Sequence, residues 1–127
     1  MGYKKFNVNP KGLKCDDCAI RAVAVALNTS WDDIYRQLFD IGFELKRPMS
    51  DLVVIDKLLK RNGFMQGSIK VAKGESRPTV AEFANSHKDM ICILRVAHHL
   101  VACAKGIYVD TWDCGSKSVY KYWYKNI

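Results

Sequence analysis

Apolar positions along this chain change their spacing once, near Arg77-Pro78. Before that point they recur at helical intervals; after it they alternate or run together as in strands. Residues 1–15 are polar and irregular, with turn signals at Asn9-Pro10 and Lys11-Gly12. CAIRAVAVAL then runs to Leu27, apolar on nearly every side, which predicts a buried helix with Asp16 or Asp17 at its cap. A second helix is predicted to open at Thr29-Ser30, to carry Ile34, Leu38 and Ile41 as its apolar stripe, and to end at Gly42. A third follows Pro48, capped by Ser50, with Leu52, Ile55, Leu58 and Leu59 inward and Gly63 beyond its end. A short fourth begins at Thr79-Val80-Ala81-Glu82, a capping-box pattern.

Beyond it, Ile91–Ala97 and His99–Ala104 read as strands. Lys105-Gly106 is a hairpin signal, Ile107–Val109 the returning strand, and Val119–Tyr124 a further strand with alternating lysines and aromatics. Helices followed by an antiparallel sheet define an α+β class. At 127 residues, without repeats or a Pro/Gly/Ser linker, a single domain over residues 1–127 is expected.

Composition narrows the function. The N-terminus lacks the apolar stretch of a signal peptide, and no apolar run approaches a membrane span, so a cytoplasmic protein without a membrane partner is expected. The formal charge of +7 permits acidic partners, but the lysines are scattered and no basic block interleaved with aromatics appears. No nucleic-acid partner is expected from that pattern. Five cysteines, an odd number, point to free thiols rather than a disulfide framework.

Cys18 opens the Ala-rich helix, where unpaired N–H groups favour a thiolate and can hold an oxyanion. Asp16 and Asp17 oppose this by raising the thiol, so a reactive Cys18 needs an offsetting cation such as a protonated histidine. His98 and His99 precede LVACA. Alternation sends them to opposite faces, His99 with Val101 and Cys103, so one of the two can meet the first helix. Asp110 and Asp113 follow in YVDTWDCG, and either carboxylate can orient a histidine. Trp112 and the group Tyr120, Tyr122 and Trp123 offer either groove lining or core. A competing reading takes Cys15-Asp16-Asp17-Cys18 as half of a zinc site completed by His98, His99 or Cys114, but no second pair follows at knuckle spacing.

The order Cys, His, Asp is that of nucleophile, base and orienter in papain-like enzymes. DDCAIRAVAVAL and HHLVACAKGIYVDTWD resemble the nucleophile helix and the His strand, hairpin and Asp of papain-like cysteine peptidases. The resemblance is strongest to bacteriocin-leader (double-glycine) peptidase domains and small bacterial and phage relatives, over residues 16–26 and 91–114. It implies a papain-like fold and a cysteine peptidase or amidase acting on an amide or isopeptide bond of a peptide or protein substrate, without metal or cofactor. By position it assigns Cys18 as nucleophile, His99 as base and Asp110 as orienter, with Asp113 and His98 as alternates. Such peptidases usually carry a Gln about six residues before the Cys; here Gly12 stands there, so Asn7 or Asn9 is the expected oxyanion donor. Ala19 replaces the Gly that often follows the nucleophile. Arg21 is outside the family pattern and is expected to pair with Asp16, Asp17 or a later carboxylate. The missing Gln also leaves room for a catalytically inactive papain-like domain that binds a peptide or protein partner.

Overall fold

Strands drawn from three separate parts of the chain form one six-stranded sheet in the computed structural model, which describes residues 2–127. The helices are α1 (Cys18–Leu27), α2 (Trp31–Leu45), α3 (Leu52–Arg61) and α4 (Val80–Ser86). The strands are β1 (Tyr3–Lys5), β2 (Met65–Ser68), β3 (Met90–Val96), β4 (His99–Ala104), β5 (Ile107–Asp110) and β6 (Lys121–Asn126). Their order across the sheet is β1-β5-β4-β3-β6-β2. The class is α+β, but the sheet is mixed rather than purely antiparallel, because β1 runs parallel to β5 with Tyr3 beside Tyr108.

Two apolar layers cover the sheet. On one face α1, α2 and α3 pack against Ile93, Leu100, Ala102 and Trp123. On the other, α4 brings Val80, Phe83 and Ala84 onto Cys92, Leu94, Val101, Cys103 and Tyr108. Period-2 alternation sorts β3 and β4 between these two layers. Of the candidate aromatics, Trp123 is buried and donates its indole N–H to Asp56, whereas Trp112 and Tyr120 are exposed.

Local chemistry explains most boundaries. Ser30 accepts from the Asp33 N–H, and Thr79 and Glu82 complete a reciprocal capping box. The cap of α3 is Asp51 rather than Ser50, since the Asp51 carboxylate accepts from Val53 N–H at 2.8 Å. β6 starts at Lys121, two residues after the predicted Val119, whose N–H is held by the Pro78 carbonyl. His98 lies in the β3–β4 turn with φ of 55°, so it does not belong to the strand.

Gly42 does not end α2, which runs on to Leu45 and stops at Lys46 in the left-handed conformation. A Cβ on Gly42 would lie 2.7 Å from the Arg47 carbonyl oxygen, a backbone atom that cannot swing aside. Helix propensity alone favours Ala over Gly by about 1 kcal/mol. Gly42→Ala is nevertheless expected to destabilise, by a net of about 1 kcal/mol or more, because the clash outweighs that gain. A lowered urea midpoint at unchanged m-value is the readout; a raised midpoint would show that the returning chain gives way.

Candidate active site

Cys18 and His99 meet because each is the first residue of its element, at one end of the sheet. Alternation places His99 with Val101 and Cys103, on the α4 face, while α1 packs on the other. The imidazole therefore reaches the thiol around the end of β4 rather than across a face. β5 pairs with β4 only from Ala102 to Ala104, so no β5 residue lies beside Leu100. The Cys18 thiol lies within interaction range of both the Leu100 N–H and the His99 ring, which lower it.

His99 Nε2 is 2.5 Å from Asp110 Oδ2, which leaves Nδ1 for the sulfur. Asp110 ends β5 and is buried; its Oδ1 also accepts from the Thr111 N–H at 2.7 Å and from Arg21 Nη1 at 2.9 Å. Arg21, one turn into α1, directs its Nε to Asp17 Oδ1 at 2.7 Å, so one guanidinium joins two buried carboxylates. Asp17 sits at the helix cap but does not cap it. Its other oxygen accepts from Asn9 Nδ2 and Trp31 Nε1, both at 3.0 Å.

These contacts set the charge states. Burial disfavours the Cys18 thiolate, but His99, the Leu100 N–H and Arg21 together outweigh it and hold the thiol below its ordinary value. Burial likewise opposes the His99 imidazolium, yet Asp110, Cys114 and Cys18 raise it to about 11. Asp110 remains below the usual carboxylate range: burial works against its charge, and His99, the Thr111 N–H and Arg21 prevail. Asp17, which precedes Cys18, therefore does not impose the penalty its position suggests, because Arg21 neutralises it.

The remaining sequence candidates fall elsewhere. Asp113 accepts from the Tyr108 hydroxyl at 2.6 Å and the Gly115 N–H at 2.9 Å, a turn role that keeps it from His99. His98 is exposed on the rim. Asn7 donates to the Leu13 carbonyl, Asn9 donates to Asp17 and approaches Cys15 Sγ, and neither residue lines the cleft beside the thiol. The uncapped start of α1 has donors instead: among the described residues the N–H groups of Cys18 and Ala19 have no partner.

Sequence reasoning did not foresee two neighbours. Trp31 closes over Asp17 from fourteen residues away, with no local signal. Cys114, considered only as a metal ligand, is fully buried and its Sγ lies 3.5 Å from Asp110 Oδ2. Among the described residues, metal-type donor atoms converge only at His99, Asp110 and Cys114, within 4.8 Å of one another. That set omits both Cys15 and Cys18, so the Cys15–Cys18 zinc half-site does not assemble. Arg21 already occupies Asp110 with positive charge, which disfavours a second cation there.

An open cleft of about 710 Å³ runs past the thiol, lined by the 13–19 segment, the start of α3, Arg95, His99, Leu100 and Trp112. The Trp112 ring lies 5.1 Å from that of His99 at 45°. No helix is long and apolar enough to cross a membrane among the described residues. No protein-family model, curated protein or solved structure matches the chain.

Proposed function

We propose that this protein is a papain-like cysteine hydrolase acting on an amide or isopeptide bond of a peptide or protein. One observation carries the reading: a thiol at an uncapped helix start lies within interaction range of a histidine that is itself held by a buried aspartate, at the wall of an open cleft. The papain-like part of the reading rests on this order of residues together with a helix opening on the thiol and packed on a sheet.

In the proposed reaction the Cys18 sulfur attacks the carbonyl carbon. A C–S bond forms, and the oxyanion is received by the N–H groups of Cys18 and Ala19. His99 passes its proton to the departing amine as the C–N bond breaks, leaving a thioester. Water then attacks that thioester while His99 removes a proton from it, and the acid departs with return of the thiol pair to its starting state. Asp110 keeps Nε2 engaged throughout, so Nδ1 stays aimed at the sulfur.

The test is limited alkylation with iodoacetamide across pH. Cys92, Cys103 and Cys114 are buried, and Cys15, although exposed, has its thiol raised by slight desolvation and by Asp17. Cys18 is expected to be labelled first, with a midpoint below that of an ordinary thiol. Labelling of Cys15 ahead of Cys18 at every pH would overturn the proposal.

A further inference from the structure

The cleft beside Cys18 contains a cation without a counter-charge. Arg95 on β3 is half-buried and lines the cleft, and among the described residues its guanidinium makes no ion pair and no hydrogen bond. The strand register sets Lys121 directly opposite it on β6. Like charges facing each other across antiparallel strands are destabilising unless something neutralises them. Lys121 has no ion-pair partner among the described residues either. The cleft's own carboxylates do not serve: Asp17 is held by Arg21, and Asp16 is not within ion-pair distance of Arg95.

On its other side Arg95 faces Leu100, the residue whose N–H lowers the Cys18 thiol. The Arg95 backbone thus lies one strand spacing, about 5 Å, from that of Leu100, and its side chain extends from there into the cleft. An arginine fork matches a carboxylate, and a partly desolvated one gains most from meeting it. We infer that Arg95 selects substrates that present a carboxylate within about one residue of the bond Cys18 attacks, a step that rests on the hydrolase reading above. That carboxylate is either an acidic side chain or the C-terminus of a chain.

Bromoacetyl probes separate the possibilities, because they report on Cys18 without needing the true substrate. The sulfur displaces bromide, forming a C–S bond as the C–Br bond breaks. One pair compares N-bromoacetyl-glutamate α-amide with its glutamine counterpart; the second compares N-bromoacetyl-glycine with N-bromoacetyl-glycinamide. Rates are read at Cys18 by peptide mass analysis, with Cys15 as internal reference. In at least one pair the acid is expected to label Cys18 about tenfold faster than its amide, relative to Cys15. The pair that responds identifies the source of the carboxylate. Arg95→Gln should bring the ratio to about one, and Arg95→Lys should keep most of it. Acid-to-amide ratios near one in both pairs, or a preference that survives in Arg95→Gln, would overturn the assignment of Arg95 while leaving Cys18 reactive. If the amide probes label Cys18 no faster than Cys15, the hydrolase reading fails, and the substrate assignment fails with it.

Discussion

His99→Gln is expected to slow alkylation of Cys18 at pH 6 by about tenfold to a hundredfold and to move its pH midpoint upward. Burial opposes the thiolate most strongly, and His99 is the first of the groups that offset it; the Leu100 N–H and Arg21 remain. Each unit by which the thiol rises removes about nine-tenths of the thiolate at a pH below its midpoint. Hydrolysis by the proposed reaction, which also needs the proton transfers, should fall by about 10³- to 10⁴-fold. The same variant tests the charge of the imidazole through stability. His99 is raised from 6.5 to about 11 in the folded protein. Its stabilising contribution is therefore complete below about pH 6.5, declines as pH rises, and is gone above about 11. Cys18 acts in the opposite sense, since a lowered thiol gains stability as pH rises, so the comparison belongs in Cys18→Ser proteins, where His99 keeps Asp110 and Cys114. Urea midpoints should drop between pH 7 and pH 10 with His99 present and stay nearly level with Gln. Equal alkylation rates at pH 6 in wild type and His99→Gln would remove the histidine from the site.

Features that depend on neighbours in sequence were readable from the sequence; those that depend on distant burial were not. The Ala-rich α1, the Ser30 cap and the Thr79–Glu82 box are local, and each appears where its residues place it. β1 and β2 have three and four residues, too few for alternation to register, and their partners lie about 100 and 60 residues away. Gly42 looked like a stop because a close approach to Arg47 leaves the same sequence mark as a helix end. At the site, the order and spacing of Cys18, His99 and Asp110 suggested a grouping, and the structure brings those three together. Asn9 is tied up away from the cleft for a physical reason. Asp17, one of the two residues the sequence offers as the helix cap, is buried instead, and its carboxylate accepts from the Asn9 amide and the Trp31 indole. Uncapped by Asp17, α1 keeps its own N–H groups for the cleft.

Arg21→Gln is expected to cost about 3 kcal/mol of stability, the largest loss of any single substitution considered. The side chains it joins are almost fully enclosed: Arg21 is 12 % exposed, Asp17 4 % and Asp110 1 %. Removing one member of a buried pair leaves an uncompensated charge, and here one cation serves two anions. Asn9 and Trp31 still reach Asp17, and His99 and Thr111 still reach Asp110, which keeps the loss from being larger. The pH dependence has a definite sign. Both carboxylates are lowered in the folded protein, so their contribution is present above their unfolded values, near 4, and is lost as pH falls through the folded ones. The gap between wild type and Arg21→Gln should thus be widest near neutrality and narrow in acid, with acid unfolding of the variant beginning at higher pH. Adding Asp17→Asn to Arg21→Gln should recover part of the loss, because the orphaned charge goes with it. A variant as stable as wild type at pH 7 would show that solvent already screens the pair. The geometry argues against that: Arg21 is the side chain that joins the first turn of α1 to the last residue of β5, and so ties the thiol's helix to the carboxylate that orients His99. Reduced Cys18 reactivity in folded Arg21→Gln protein, rescued in part by Arg21→Lys, would separate this positioning role from stability alone.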